Sequence, residues 1–160
     1  MQTVGFENHD HTVCVGVGMK AAEDVCAAQG LRLTKGRRRV LEILLQEHRA
    51  MGAYDILGML SDEGFASQPP VVYRALDFLV ANGFAHKIQK LNAYIACAHP
   101  GDSHTPVFLI CRACETVAET AAPLQSTLGE AAEKIGFKIE TTIVEAEGMC
   151  PRCRETETAV

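Results

Sequence analysis

Four of the seven cysteines stand in two Cys-x-x-Cys pairs, Cys111/Cys114 and Cys150/Cys153, with 35 residues between the pairs. Two such pairs can surround one zinc ion tetrahedrally, each sulfur about 2.3 Å from the metal. A site filled by four protein ligands is structural and leaves no open position for catalysis. The same cysteines could instead exchange disulfides with a substrate, but neither pair opens a helix after a strand as a thioredoxin-like motif does. Structural zinc is therefore expected. The odd cysteine total in a chain read as cytoplasmic agrees with metal binding over disulfides.

A second set is scattered: His86, Cys97, His104 and Glu119. Singly, each has a plain explanation as a core or surface histidine, a thiol packed as a small apolar group, or a solvated carboxylate. Together they mix nitrogen, sulfur and oxygen, and the thiolate suits zinc better than ferrous iron. One ion held by all four would tie a first domain to a second across a hinge. His99 could replace His104 in that set. His9, His11 and Cys14 are a third, weaker group, in a stretch read as an unstructured tail.

The elements that must position these ligands divide the chain. Residues 1–18 show no sustained period and are expected to be a disordered extension, with Met19 a candidate start of the protein. Helices are expected over 19–29, closed by Gly30, over 35–47 with Thr34 as N-cap, and over 53–61, closed by Gly64. A fourth opens at Pro69-Pro70 and stops at Asn82-Gly83, with Val72, Ala75, Leu76 and Leu79 as its apolar stripe. Opposite that stripe fall Tyr73, Arg74 and Asp77. Arginine can contact guanine bidentately, so this helix fits a major-groove reader, although a solvated surface helix would carry the same spacing. Runs 84–88 and 93–98 read as a β-hairpin, which makes 19–98 a winged helix-turn-helix domain.

Residues 99–106 have the composition of a hinge. Beyond it, strands over 107–111 and 116–119, a helix over 121–135 and a strand over 137–146 make 107–160 a small α/β domain. So small a unit can hardly bury a sufficient core alone, and both a metal and a partner subunit are expected of it. The fold class is α+β.

Composition narrows the function. Lys+Arg 15 against Asp+Glu 20 gives a net charge of −5, but the charge is uneven. Residues 31–90 carry nine basic side chains against six acidic, and residues 101–160 five against ten. A basic module joined to an acidic one permits phosphate contacts by the first, made by its Lys and Arg side chains. The apolar runs, such as 107–110, fall far below the roughly 18–20 residues that span a bilayer. The first eighteen residues contain no Lys or Arg, so a secretory start is missing and a cytoplasmic protein with no membrane partner is expected.

The run Pro69-Pro70-Val71-Val72-Tyr73-Arg74-Ala75-Leu76-Asp77-Phe78-Leu79, then Asn82-Gly83-Phe84-Ala85-His86-Lys87, then the two Cys-x-x-Cys pairs, resembles the ferric uptake regulator family, and within it the zinc uptake regulators. The resemblance spans about residues 19–155. It implies a homodimeric, metal-activated repressor, not an enzyme, with a winged helix that binds palindromic double-stranded operator DNA and a C-terminal dimerisation domain. It also implies two zinc ions per protomer: a structural ion at Cys111, Cys114, Cys150 and Cys153, and a regulatory ion at His86, Cys97, His104 and Glu119. Tyr54 and Arg74 fall where the family contacts DNA. Control of zinc uptake genes follows from the same likeness. The iron sensors of the family usually carry a His-rich run before the first Cys-x-x-Cys pair, where this chain reads Asp102-Ser103-His104-Thr105-Pro106. The second helix begins Thr34-Lys35-Gly36-Arg37 where Pro-Gln-Arg is usual, and the His-rich C-terminal tail of some members is absent. An iron- or peroxide-responsive member of the family is the alternative reading, and a thiol oxidoreductase a more distant one.

Overall fold

Helical stripes of apolar residues leave water only by packing on one another, and residues 7–102 form a compact unit in this way. The computed structural model describes residues 5–7, 10–65, 68–102, 104–121 and 124–158, the side chain of residue 125 excepted. In this N-terminal unit the helices are α1 (His11–Gln29), α2 (Lys35–Leu45), α3 (Ala53–Asp62) and α4 (Pro69–Ala81). Val40, Leu41, Ile43 and Leu44 of α2 and Val72, Ala75, Leu76 and Leu79 of α4 are buried, with Ala22 and Cys26 of α1 and Ile56 and Leu60 of α3. The Thr34 side chain accepts the Arg37 N–H at the start of α2, and Gly30 ends α1 in the left-handed conformation, φ 67°. Pro69 and Pro70 open α4, where their missing N–H groups cost nothing because first-turn donors have no partner in the helix.

Strands β1 (Ala85–Ile88) and β2 (Ala93–Ala96) pair antiparallel, with Ala85 opposite Ala96 and Ile88 opposite Ala93. Reciprocal 2.8 Å bonds between the backbones of Met51 and Tyr94 tie this hairpin to the segment joining α2 and α3. The result is a helical bundle with a β-wing.

The first helix differs from the sequence expectation. It starts at His11, not Met19, so 11–18 belong to a helix and not to a disordered extension. Two features explain it. Asp10 is an N-cap whose carboxylate accepts from the Thr12 N–H at 2.9 Å. Gly18 brings α1 close to α2: a Cβ there would stand 2.6 Å from Leu45 Cδ2. Glycine normally disfavours a helix interior, and here it records a close approach instead of a break. His9 lies outside the described residues.

The remaining described residues, 5, 6 and those from 104 on, belong to a second unit. It contains β3 (Val107–Cys111), β4 (Val117–Thr120), α5 (Leu124–Lys134), β5 (Val144–Gly148) and α6 (Pro151–Thr158). The sheet order is β4-β3-β5, with β3 and β4 antiparallel and β3 and β5 parallel. A parallel pair needs a crossover, and the chain from α5 to residue 143 provides it.

Two expectations change here. Residues 137–143 are not strand; only Val144–Gly148 is. The register gives the reason: β5 meets β3 from Val107 opposite Val144, so upstream residues have run past the end of their neighbour. Helix α6 was not expected, because its sequence Pro-Arg-Cys-Arg-Glu-Thr-Glu-Thr has no apolar stripe to show a period; with it the Cys150/Cys153 pair opens a helix after strand β5, against the expectation that neither pair does so. Residues 122 and 123, in the expected helix 121–135, lie outside the described residues.

Two substitutions test this packing. Gly16 has nothing within 4 Å of an added Cβ, so Gly16→Ala is expected to raise the stability of the N-terminal unit by about 0.5–1 kcal/mol. No change would mean that 11–18 are not helical in solution. Leu76→Ala, at a fully buried α4 position, is expected to lower stability by about 2–5 kcal/mol in chemical denaturation followed by circular dichroism.

Candidate metal centre

Cys111 is the last residue of β3, and the chain then turns back on itself to reach β4. Glu115 takes a left-handed conformation, φ 58°, and its N–H bonds the Cys111 carbonyl at 2.9 Å, which folds Cys114 back beside Cys111. Cys150 follows β5, whose end is held to this turn by the Arg112 N–H on the Gly148 carbonyl at 2.8 Å. Cys153 lies in the first turn of α6. Parallel pairing of β3 and β5 therefore delivers both Cys-x-x-Cys pairs to the same end of the sheet.

The four sulfurs lie within 4.8 Å of one another. Cys114 Sγ and Cys150 Sγ are 3.8 Å apart, far beyond the roughly 2.05 Å of a disulfide. In a tetrahedron with metal–sulfur bonds of about 2.3 Å the sulfurs are separated by about 3.8 Å, so the pocket already has the dimensions of a zinc–thiolate site.

Electrostatics in the cluster agree. Burial pushes the Cys111 thiol up, but the amides of Cys150, Cys114 and Ala113 pointing at its sulfur outweigh burial and bring it down to about 6. The Cys150 N–H reaches that sulfur at 3.4 Å. Cys114 is also lowered, by the Thr116 hydroxyl 3.3 Å away and the Thr116 amide. Cys153 goes the other way, pushed up to about 12 by its contacts with the sulfurs of Cys150 and Cys114. Without a cation the cluster holds some sulfurs as thiolates only by keeping others protonated, and a divalent ion removes that conflict. Thr116 and the turn amides are parts of the site that the cysteine spacing does not reveal.

The second ligand set is found as two halves. In the N-terminal unit, β1–β2 pairing puts His86 and Cys97 on one face of the hairpin, a histidine nitrogen within 4.8 Å of the cysteine sulfur. Cys97 is buried, and its N–H is held by the Phe84 carbonyl at 2.9 Å. In the C-terminal unit, His104 Nε2 lies 2.7 Å from Glu119 Oε1. Glu119 is 3% exposed and is the one buried charged residue recorded among the described residues. His99 sits half-buried in the turn after β2. Cys26, by contrast, is packed in the helical core, and burial pushes its thiol up.

The outer side of α4 carries Tyr73, Arg74 and Asp77, all exposed, opposite its buried stripe. Tyr54 on α3 is 69% exposed, and it lines one small recess with Tyr73 and Pro69. Several basic residues of this unit have partners within it. Arg39 makes a two-bond clamp on Glu63, at 2.7 and 2.5 Å, and a 3.0 Å pair with Glu42. Arg38 pairs with Glu23, and the Arg37 guanidinium lies 3.8 Å over the Phe78 ring. These three side chains join α2 to its neighbours. Arg74 has no ion pair among the described residues.

The model of the ferric uptake regulator family matches residues 28–147. The zinc uptake regulation protein of Escherichia coli (strain K12) is 39% identical over 139 residues, covering 85% of this chain and 81% of the relative. Among solved structures, a zinc uptake regulator complexed with zinc and DNA superposes with a TM-score of 0.86 at 36% identity, covering 90% of this chain and 97% of that one. The crystal structure of holo XcZur gives 0.79 at 38% identity, covering 86% and 96%. No helix among the described residues is long and apolar enough to cross a membrane.

Removing one sulfur tests the cluster. Cys150→Ser is expected to lose one tightly held zinc ion, measured by metal analysis after dialysis, and to destabilise the C-terminal unit while the N-terminal unit keeps its melting transition. The pH dependence has a defined sign. A thiol lowered from 9.0 to about 6 stabilises the folded metal-free chain fully above pH 9, and that contribution is lost as pH falls through 6. Protons also compete with zinc for thiolate, so zinc release should rise across the same acid range.

Proposed function

Because this chain belongs to the ferric uptake regulator family, we propose that it is a zinc-responsive repressor of transcription that binds palindromic operator DNA as a homodimer and controls zinc uptake genes. The observation that carries the DNA-binding part is α4, sealed on one side by Val72, Leu76 and Leu79 and offering Tyr73 and Arg74 on the other. Tyr54, exposed beside Tyr73, extends that surface. The relatives named as zinc uptake regulators, one of them solved with zinc and DNA, support the reading.

Each protomer would hold two zinc ions. Cys111, Cys114, Cys150 and Cys153 would hold the structural one, which cross-links the end of the sheet. His86, Cys97, His104 and Glu119 would hold the regulatory one. That assignment is supported by the two ligand pairs described above, each preformed within its own unit, and by the thiolate, which favours zinc over ferrous iron. Ligands drawn from both units to one ion make the arrangement of the DNA-reading unit depend on zinc, and linkage requires DNA to raise zinc affinity in return.

The homodimer is supported by the C-terminal unit's surface. Ile135, Phe137 and Ile143 are 80%, 63% and 53% exposed, and with Leu128 and Ile139 they line an open groove of about 420 Å³. A monomeric soluble protein seldom leaves such a patch to water. The acidic balance of the same unit suits a subunit interface better than a DNA surface.

Buffered zinc titration with operator binding as the readout tests the proposal. DNA affinity should rise with free zinc in the native chain, and Cys97→Ser should abolish that rise while retaining the four-cysteine ion. Unchanged zinc dependence in Cys97→Ser would refute the regulatory assignment. Arg74→Ala is expected to weaken operator binding by about 1–3 kcal/mol and to relax preference at one base position. Equal weakening on all sequences would make Arg74 a phosphate contact instead.

A further inference from the structure

A third cluster of ligands, sharing no residue with the two sets above, lies in the N-terminal unit: His11 and Cys14 in the first turn of α1, and His48 just beyond α2. One donor atom from each residue lies within 4.8 Å of the others. The rings of His11 and His48 have centroids 5.0 Å apart and are tilted by 48°, so they are not stacked face to face. His11 Nδ1 is shut off from solvent, while all three residues are half-buried, so donors face inward at a place an ion can reach.

The helical pattern puts them there. His11, Cys14, Val15, Gly18 and Ala22 form one stripe at i, i+3, i+4, i+7 and i+11, the side of α1 that packs on the bundle. At Gly18 the stripe passes closest to Leu45, the last residue of α2, three residues before His48. The backbone thus fixes the separation of the two sides of the cluster before any ion binds. Asp10, the nearest carboxylate in sequence, is committed as N-cap to the Thr12 N–H and hydroxyl.

We propose that His11, Cys14 and His48 form a metal site for a thiophilic cation, zinc(II) or copper(I), that pins the start of α1 to the end of α2. Two imidazoles and one thiolate are a borderline-soft donor set, suited to these ions and poorly suited to magnesium, calcium or ferrous iron. With three protein ligands, zinc would complete its tetrahedron with water or a solute ligand, whereas copper(I) is satisfied by three. A site with one thiolate should bind more weakly than the four-cysteine cluster.

The test counts ions on the full-length chain. Zinc, and separately copper(I) under anaerobic conditions, is titrated through a chromophoric chelator into the native protein and into His48→Ala and Cys14→Ser. Hydrogen exchange of the amides of residues 11–18 is followed in parallel. One fewer ion in each variant than in the native chain is expected, with slower exchange of 11–18 on metal addition in the native chain only. Which titrant gives this difference identifies the cation. The comparison does not depend on the regulatory site, because Cys97→Ser in the same background leaves the difference intact. Equal ion counts in native and variant chains, with circular dichroism showing both folded, would overturn the proposal. So would metal-independent exchange of 11–18. If His48→Ala unfolds, His48→Asn keeps the size and polarity of the side chain and serves in its place.

Discussion

Four sulfur atoms gathered within 4.8 Å cannot all be thiolates unless a cation lies among them, and the C-terminal unit is built on that constraint. Its sheet has three strands, and among the described residues its buried apolar ones are few: Val107, Phe108, Ile110, Val117, Ala118 and Ala132, besides the cysteines. The parallel pair β3 and β5 is the hardest part to hold, because no hairpin joins its strands and the crossover between them is long. Cys111 ends one strand and Cys114 follows it, while Cys150 and Cys153 follow the other. A tetrahedral metal link there would close that end of the sheet, where the amides aimed at Cys111 already lower its thiol.

The N-terminal unit rests on helical burial instead. Its rigidity is what makes the exposed residues useful. Leu76 and Leu79, with no exposure, fix the rotation of α4, and the direction of Tyr73 and Arg74 follows from it. The Arg39 clamp on Glu63 joins α2 to the end of α3, which keeps Tyr54 in register with α4. On the wing, the Met51–Tyr94 bridge and the Cys97 N–H bond to Phe84 hold the hairpin face that carries His86 and Cys97.

Most of this was legible where one physical signal dominated. The α4 stripe, its prolines and Asn82-Gly83 marked both ends of the helix within a residue, and the cysteine spacing announced the four-sulfur cluster. The signal failed where tertiary context overrides local preference. Residues 1–18 show no sustained period, and the close approach of Gly18 to Leu45 that helps to hold the helix from His11 is a tertiary feature with no local signal. Residues 137–143 alternate like a strand but outrun their neighbour in the sheet. Helix α6 has no apolar face to reveal it. His48 lies 34 residues from Cys14, and only the packing of α1 on α2 brings them together.

The alternation in 135–143 is therefore not noise. Apolar residues left exposed among the described residues, next to a β5 strand half-exposed along its length, are an unfinished surface. Sheet edges of this kind are usually blunted by charge, covered or paired. Glu145 and Glu147 on β5 supply charge, but Ile135, Phe137 and Ile143 ask for an apolar partner. A second copy of the same chain offers a matching groove without requiring a second gene product, since a two-fold interface is complementary to itself. The proposed dimer thus completes in the C-terminal unit what the sulfur cluster begins. It would also leave residues 31–90, where nine basic side chains stand against six acidic, to face DNA while the acidic C-terminal unit sets the pairing of the two copies.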